Sequence, residues 1–233
     1  MLREIVLDTE TTGLDPGSGD RVVEIGCVEL LNHIPTGEIW HNYFNPERDM
    51  PQAAFEVHGL SSDFLETKPL FAEFTDDFLK FIGADKLIIH NANFDIGFLN
   101  AELERLARSA ITMDRVTDTL ALARRKHPGA SNSLDALCKR YQIDNAARSK
   151  HGALLDSELL AEVYIELIGR RQADLGLTAA GRAKNSPMGA DSTAEPVKSA
   201  PLPQRLSEAE AEAHRAFVET LGPDALWRDY SGK

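Results

Sequence analysis

The sequence predicts an α/β domain followed by a flexible C-terminal tail, and three observations support this prediction. Three strand-like segments precede the first long helical segment, an order that favours an antiparallel meander. A fourth short apolar strand comes next, and four more segments with helical periodicity follow it. Beyond residue 176 large apolar residues become rare, so we expect this part of the chain to lack a packed core.

The composition is that of an ordinary globular protein. The chain has 233 residues, of which 42% are hydrophobic and 27% charged, enough for one large domain with a sizeable core. Its two cysteines, Cys27 and Cys138, lie in apolar segments and are expected to be buried thiols in a reducing compartment. We find neither a signal-peptide pattern nor a stretch that could span a bilayer, and we therefore expect a cytoplasmic protein.

The formal net charge of −12 restricts the ways in which the protein could bind a nucleic acid. A protein that coats DNA irrespective of its sequence needs a basic surface, so the charge argues against that class. The charge does not argue against an enzyme that holds a nucleic-acid end through bound metal ions. Such ions invert the local electrostatics of an acidic pocket.

Four segments have the composition of strands. Residues 3–7 include three consecutive apolar positions, which is typical of a strand that is buried on both faces. Residues 21–30 are rich in Val and Ile, and residues 38–46 alternate until a proline ends them. Residues 86–90 form one more short apolar run.

Five segments have the apolar spacing of amphipathic helices, with large apolar residues recurring every three or four positions. Ser131 or Ser133 is expected to cap the fourth of them. The last is long and strongly amphipathic, and it closes the domain, which we place at residues 1–172. The predicted helices span residues 71–82, 94–107, 118–127, 133–141 and 154–171.

The tail divides into a linker and a terminal segment. Residues 173–205 are rich in Ala, Gly, Ser and Pro and predict a flexible linker, because they cannot bury enough apolar surface to offset the entropy of ordering. Residues 206–233 regain helix-forming character and include Trp227 and Tyr230. Aromatic anchors after a linker indicate a docking segment, and a frayed surface helix is the alternative.

The first strand ends in two acids, Asp8 and Glu10. Side chains two positions apart in a strand project from the same face, so both carboxylates point the same way. Like charges this close repel each other unless a cation neutralises them, and hard oxygen ligands suit Mg²⁺ or Mn²⁺. The pair therefore indicates a metal site, with ordinary exposed acids at a strand end as the alternative.

Two more acids and a histidine lie, like Asp8 and Glu10, at the ends of apolar segments. Asp95 lies in the first turn of a predicted helix directly after a buried strand, and Asp156 lies in the first turns of the last helix. His151 stands just before that helix. Acids favoured by a helix dipole and a loop histidine would account for each residue alone. One active site accounts for all of them together.

Three motifs carry a resemblance to a known family. DTETTGL begins at Asp8, HNANFD ends at Asp95, and HGALLD runs from His151 to Asp156. In this order they resemble the three exonuclease motifs of the DnaQ-like 3′–5′ exonucleases, in the branch whose four acids are joined by a histidine (DEDDh). The resemblance covers residues 3–170 and implies a ribonuclease H-like fold, in which helices flank a mixed central sheet.

The resemblance also implies a mechanism. His151 would be the general base that takes a proton from the attacking water. Nucleoside 5′-monophosphates would be released from the 3′ end of DNA. Two divalent cations, Mg²⁺ or Mn²⁺, would be held by four acids, which would be catalytic together with His151: Asp8, Glu10, Asp95 and Asp156.

The resemblance places several residues against the terminal nucleotide. Leu14, at the end of the first motif, would wedge near the terminal base. His58 would line the nucleotide pocket, and a structural turn histidine is the alternative for it. The expected substrate contacts are Asp8, Thr9, Glu10, Thr11, Leu14, His58, Asn91 and Phe94.

Two segments beyond the domain indicate protein partners. QADLGL resembles the short peptide by which bacterial replication proteins bind the sliding clamp, with Gln172, Leu175 and Leu177 as contacts. By resemblance to proofreading members of the family, residues 206–233 would bind the catalytic subunit of a replicative DNA polymerase. The linker would raise the effective concentration of the nuclease near the primer end. We expect a monomer within a larger complex.

Three other interpretations remain open from the sequence. A free-standing relative that trims RNA 3′ ends would share the metal site but would usually bring a basic surface. Compact basic clusters occur only at residues 124–127 and 148–150, where exposed charges beside helices are the ordinary interpretation. A non-catalytic binding module would not need all five site residues, and a structural protein with acidic helix caps would not need their combination.

Overall fold

The structure, a computed structural model, describes residues 2–146, 148, 150–169 and 207–221. Five strands form one mixed sheet in the order β3-β2-β1-β4-β5. The first three pair antiparallel, and β4 and β5 continue the sheet parallel to β1, so the predicted mixed α/β sheet is confirmed. The strands are β1 (Arg3–Thr11), β2 (Val22–Leu31), β3 (Ile34–Tyr43), β4 (Lys86–Ile89) and β5 (Val116–Asp118).

The helices follow the order of the predicted segments, and two short ones are additional. None of the helices within the described ranges is long and apolar enough to cross a membrane. The helices are α1 (Gln52–His58), α2 (Ser62–Glu66), α3 (Phe71–Ile82), α4 (Ala92–Arg105), α5 (Thr119–Lys126), α6 (Leu134–Tyr141), α7 (Ala153–Leu167) and α8 (Glu208–Thr220).

The core lies on both faces of the sheet because β1 is buried on both. Ile5 and Leu7 belong to one apolar cluster, which includes the buried side chains of α3 and α4. Val6, between them, belongs to a second cluster with the buried side chains of α5, α6 and α7. Side chains alternate along a strand, so β1 separates the two clusters. We call the two sides of the sheet the α4 face and the α7 face.

Several element bounds differ from the predicted ones. β1 continues to Thr11, so Asp8 and Glu10 lie within the strand and not after it. β3 begins at Ile34 and includes Pro35, which an edge strand tolerates because its free side needs no hydrogen-bond donor. The sequence did not predict the short elements α1, α2 and β5. Ser133 is the residue that caps α6.

The chain separates into two compact units, Met1–Gly181 and Arg182–Lys233. In the second unit, α8 begins after Ser207, which forms a capping box with Glu210. The predicted linker, the clamp-like peptide at residues 172–177, and Trp227 and Tyr230 all lie outside the described residues.

Candidate active site

β1 brings Asp8 and Glu10 to one face of the sheet. Both side chains share the α7 face with Val6, because alternate residues of a strand point the same way. In the antiparallel ladder with β2, Asp8 lies opposite Gly26 and Glu10 lies opposite Glu24. β4 pairs with β1 only as far as Val6, so the two acids lie past the end of that pairing.

α4 brings Asp95 to the same end of β1. The helix starts soon after β4, and Asp95 lies in its first turn. Asp95 Oδ1 accepts two hydrogen bonds from Thr9, one from the backbone N–H at 3.0 Å and one from the hydroxyl at 2.7 Å. These bonds hold Asp95 against the strand that carries Asp8 and Glu10.

α7 reaches the site because a glycine lets it approach the sheet. A Cβ atom at Gly26 would lie 2.3 Å from backbone atoms at the start of α7, so a larger residue does not fit while the helix keeps this position. The Ser157 hydroxyl donates to the Gly26 carbonyl oxygen at 2.9 Å. Since Gly26 lies opposite Asp8, this contact brings Asp156, in the first turn of α7, towards Asp8.

The loop that leads into α7 carries His151 and is fixed to α1. The His151 N–H donates to the Val57 carbonyl oxygen at 3.2 Å, and the Lys150 amine lies 4.9 Å from the centre of the Phe55 ring. The imidazole is 48% exposed, and its Nδ1 lies 3.2 Å from Asp156 Oδ2. His151 is therefore a half-exposed base beside a buried carboxylate.

Three of the four acids lie in surroundings that disfavour their charge. Burial raises the pKa of Asp8 well above its usual value, and the charges of Asp95 and Glu10 add to this effect. Burial raises the pKa of Glu10 to about 8, with Glu24 as the next cause. Burial also raises the pKa of Asp95 to about 7, although its hydrogen bonds from Thr9 oppose the shift. Among the described residues, none of these three carboxylates forms an ion pair, although the charge of Arg148 lowers the pKa values of Asp8 and Glu10 somewhat.

The fourth acid has a different environment. Burial raises the pKa of Asp156, but its hydrogen bonds to Arg148 and His151 and their charges outweigh burial and leave the pKa below its usual value. The Arg148 side chain is only 7% exposed. The interpretation of Arg148 as an exposed charge is therefore wrong, because the guanidinium is enclosed against Asp156.

The acids and the histidine fit a divalent cation. Glu10, His151 and Asp156 each offer a ligand atom, and these atoms lie within 4.8 Å of one another. Carboxylate oxygens are the donors that Mg²⁺ and Mn²⁺ prefer. The raised pKa values of Asp8 and Glu10 indicate that a positive charge at this place would be stabilising.

One cleft with a volume of about 1230 Å³ brings together the predicted catalytic and substrate residues. The four acids and His151 line it. Leu14 also lines the cleft, and 85% of its surface is exposed. Its side chain is therefore free to contact a base. The other predicted substrate residues that line the cleft are Thr9, Thr11, His58, Asn91 and Phe94.

His58 and Asn91 are held in defined states. His58 is 6% exposed, and its Nδ1 accepts a hydrogen bond from the Leu60 N–H, so the ring proton lies on Nε2. Burial lowers the pKa of His58, which favours the neutral form. Asn91 has a φ of 66°, a left-handed conformation that asparagine adopts more readily than most residues, and its N–H donates to Asp118.

Sequence reasoning missed two residues that shape the site. Gly26 allows the approach of α7, and the signal was a lone glycine within an apolar strand, a pattern that often marks close contact between backbones. Arg148 pairs with Asp156, and the only signal was its place three residues before His151. Arg124, Asn132 and Asp135 also line the cleft.

A mixed sheet in which three separate segments bring four acids and a histidine to one cleft defines a nuclease of the DEDDh class. The sequence matches the family described as RNase_T: Exonuclease over residues 5–164, and the chain belongs to this exonuclease family. The predicted family is thus confirmed.

Sequence similarity to two bacterial proteins covers almost the whole chain. The chain is 47% identical to the DNA polymerase III subunit epsilon of Rickettsia felis, over 94% of this chain and 97% of that protein. It is 41% identical to the protein of the same name from Escherichia coli (strain K12), over 97% of both chains.

Solved structures share the fold at low sequence identity. The nuclease domain of 3′hExo, a DEDDh family member bound to rAMP, has a TM-score of 0.61 and 17% identity, with coverage of 71% of this chain and 91% of that one. Exonuclease X in complex with 5′ overhanging duplex DNA has a TM-score of 0.55 and 22% identity, with coverage of 72% and 92%. These likenesses support the ribonuclease H-like fold.

Proposed function

We propose that this chain is the proofreading 3′–5′ exonuclease subunit of a bacterial DNA polymerase III. It removes mispaired 3′-terminal nucleotides as nucleoside 5′-monophosphates. The observation that carries the proposal is the convergence of the DEDDh acids and His151 on one cleft. That observation is joined by nearly full-length similarity to proteins named DNA polymerase III subunit epsilon.

The four acids are the proposed ligands of two divalent cations, Mg²⁺ or Mn²⁺. Such cations supply charge neutralisation at the scissile phosphate and activation of the attacking water when they are bound. Three of the ligands, Asp8, Glu10 and Asp95, are buried and form no ion pair among the described residues, and burial raises the pKa of each. The fourth, Asp156, shares its oxygens with Arg148.

His151 is the proposed general base. Its Nδ1 lies 3.2 Å from Asp156 Oδ2 and 2.8 Å from an Arg148 nitrogen, so this side of the ring is held by the protein. Nε2 accepts a proton from water when Nδ1 carries the ring proton and donates it to Asp156, and Arg148, which can only donate, must then leave Nδ1. Because the side chain is 48% exposed, the proton can pass from His151 to bulk solvent after each turnover.

The cleft residues are the proposed contacts of the terminal nucleotide. Phe94 is half-buried, with its ring centre 4.9 Å from that of Phe98, and it offers a fixed apolar surface to a sugar or base. Leu14 offers an exposed apolar wedge. Thr9, Thr11, His58 and Asn91 offer hydrogen-bonding groups around them.

The partners in the proposal are DNA, the catalytic subunit of DNA polymerase III and the sliding clamp, in the cytoplasm. Residues 206–233 would bind the polymerase. Within them, Phe217 on α8 and Leu221, the residue that caps its C-terminal end, are exposed and lie four residues apart. Residues 173–205 would be the linker. The clamp would bind Gln172, Leu175 and Leu177.

The first experiment is a nuclease assay on the purified chain with Mg²⁺ or Mn²⁺. The substrates are single-stranded DNA labelled at its 5′ end and a matched RNA. The expected result is a ladder that shortens from the 3′ end of DNA and disappears in the Asp8→Ala variant. Faster trimming of RNA would favour an RNA-processing enzyme, and no cleavage of either substrate would contradict the proposal.

A truncation tests the proposed partners. Deletion of residues 206–233 should abolish binding to the purified polymerase catalytic subunit and leave cleavage of single-stranded DNA unchanged. The matched control is Leu175→Ala, which should keep polymerase binding and weaken clamp binding. Polymerase binding that survives the deletion would show that another surface makes the contact.

A further inference from the structure

One arginine holds both oxygens of a proposed metal ligand. Arg148 Nε lies 2.5 Å from Asp156 Oδ1, and Arg148 Nη2 lies 2.7 Å from Asp156 Oδ2. The side chains are 7% and 3% exposed, so the pair is almost enclosed. A two-bond arginine–carboxylate contact uses the same oxygens that a divalent cation needs. Arg148 and a cation therefore compete for Asp156.

The guanidinium also has a second carboxylate within reach. Arg148 Nη1 donates to Asp135 Oδ1 at 2.5 Å. Asp135 lies in the first turn of α6, and its side chain is 59% exposed. If Arg148 released Asp156, it would keep a charged partner on the solvent side of the cleft.

Arg148 is distinguished from the other basic residues by these contacts. Among the described residues, it is the only arginine or lysine with a hydrogen bond to one of the four acids. Arg124 also lines the cleft, yet it forms no ion pair with any of the four. Among the described arginines and lysines, only Arg148 is thus hydrogen-bonded to the acidic cluster, and it contacts both oxygens of Asp156.

We infer that Arg148 is an internal competitor of the metal: its guanidinium neutralises Asp156 until a divalent cation binds, and it then shifts fully to Asp135, which it already contacts through Nη1. This inference rests on the proposed function, because it takes Asp156 as a metal ligand. Arg148 is then a positioning residue that lowers metal affinity while it stabilises the acidic cluster in the absence of metal. The measured affinity is reduced by the fraction of molecules in which Asp156 is free.

Metal affinity is the direct test, measured on the full chain by titration with Mn²⁺ and detection of free Mn²⁺ by electron paramagnetic resonance. Arg148→Met should tighten Mn²⁺ binding by about tenfold, because Asp156 no longer has to be released. With a chelator present, the same variant should melt at a lower temperature than the wild type. Weaker or unchanged Mn²⁺ binding would overturn the inference.

Arg124→Met is the matched control for charge alone. It removes one positive charge from the same cleft without touching Asp156, so its effect on Mn²⁺ affinity should be clearly smaller than that of Arg148→Met. An equal effect of the two variants would mean that general electrostatics, and not competition for Asp156, sets the affinity.

Asp135→Asn tests the second half of the inference with a substitution at an exposed side chain. It removes the alternative partner of Arg148, so Mn²⁺ binding should weaken. The same substitution should have little effect in the Arg148→Met background, and this non-additivity would show that Asp135 acts through the arginine. Additive effects would overturn the shift to Asp135.

The wild-type titration separates this inference from the proposed function. A wild-type chain that binds no Mn²⁺ would contradict both. A wild-type chain that binds Mn²⁺ and an Arg148→Met variant that binds it no more tightly would contradict the inference alone. If Arg148→Met fails to fold, Arg148→Lys gives the decision, because it keeps the charge but loses the two-bond contact and should also tighten Mn²⁺ binding.

Discussion

Asp95 and Asp156 occupy similar places on opposite sides of β1, yet their surroundings differ. Each lies in the first turn of a helix. Asp95 has neutral partners, the N–H and hydroxyl of Thr9, and burial raises its pKa to about 7. Asp156 is paired with Arg148 and His151, which hold its pKa below the usual value despite burial. The presence of a cationic side chain, and not the helix position, decides in which direction the pKa of each carboxylate shifts.

The difference shows that the carboxylates depend on metal to different degrees. At Asp95, and likewise at Asp8 and Glu10, an added cation would relieve an existing electrostatic cost. At Asp156 the chain already supplies the cation, so a metal would have to replace it.

The largest effects are expected from removing the charge on either side. Asp95→Asn and Asp156→Asn should each lower turnover of single-stranded DNA by about 10⁴-fold or more, since even outer partners of metal ligands are worth about 10–100-fold. With a chelator present, Asp95→Asn should raise the free energy of unfolding, because an unpaired buried charge is removed. Asp156→Asn should lower it by about 3 kcal/mol, because Arg148 then keeps only Asp135.

Nuclease assays and urea denaturation measure these two quantities. The control is Asp77→Asn, which changes an exposed acid on α3. It should alter neither the turnover nor the free energy of unfolding. The contrast between the two sides is refuted if both site variants shift the free energy of unfolding in the same direction.

His151→Gln tests the α7 side without removing a carboxylate. Turnover should fall by about 10²–10⁴-fold, the range expected for a general base, while Mn²⁺ still binds. The melting temperature should change little because the side chain is 48% exposed. His127→Gln, which alters a histidine bonded to Tyr141 outside the cleft, should retain activity. Substantial activity in His151→Gln would remove the general-base role.

Gly26→Ala is expected to displace α7, which carries Asp156, without displacing α4, which carries Asp95. The added methyl group would lie 2.3 Å from the backbone of α7, so the helix must move away from β1. Turnover should fall by about 10²-fold, a loss typical of a displacement near 1 Å, and the free energy of unfolding should fall by about 1–3 kcal/mol.

The matched variant is Gly97→Ala on α4, where an added Cβ meets nothing within 4 Å. It should retain activity and gain stability of about 1 kcal/mol from helix propensity. If both variants kept full activity, the contact at Gly26 would not determine the position of Asp156.

The smallest effect is a dependence of stability on pH in the presence of a chelator. Asp8, Glu10 and Asp95 have raised pKa values, so folding favours their protonated forms. Their stabilisation is complete below the unfolded values of about 4 and is lost as the pH rises through the folded values. The folded values are about 7 for Asp95 and about 8 for Glu10. The melting temperature should therefore be several degrees higher at about pH 5.5 than at about pH 8.5.

The lowered pKa of Asp156 predicts the opposite dependence of stability on pH. Its lowered pKa provides stability above the unfolded value of about 3.9, and this stability is lost as the pH falls through the folded value. A decline in melting temperature confined to strongly acidic solution would report Asp156. Saturating Mg²⁺ should flatten the slope between about pH 5.5 and 8.5, because a cation favours the ionised forms. A slope unchanged by Mg²⁺ would contradict this explanation.

The sequence predicted the elements whose pattern is long and regular. The apolar spacing of residues 71–82 gave α3 with its observed bounds. The helix α1 was missed because it has seven residues, follows Pro51 and has no side-chain cap. The start of β3 was missed because Pro35 and Gly37 interrupt the strand pattern, although an edge strand accepts them.

The candidate site was predictable where motifs carry it and not where it depends on contacts between distant segments. The acids and His151 follow from three short motifs. Arg148 gives no comparable signal, because its burial depends on Asp135 and Asp156, which α6 and α7 bring together. Whether a carboxylate is paired with a cation is a property of packing, which spacing along the chain does not report.

The contact at Gly26 is made between main chains, and main chains have no rotamers. Exchange of Leu for Ile or Val elsewhere in the core can therefore alter the packing without resetting the gap between Asp8 and Asp156. The approach of α7 to the sheet at this point is limited by the backbone at Gly26. A designer who grafts these acids onto another sheet would need to install the glycine opposite the first acid before choosing any ligand.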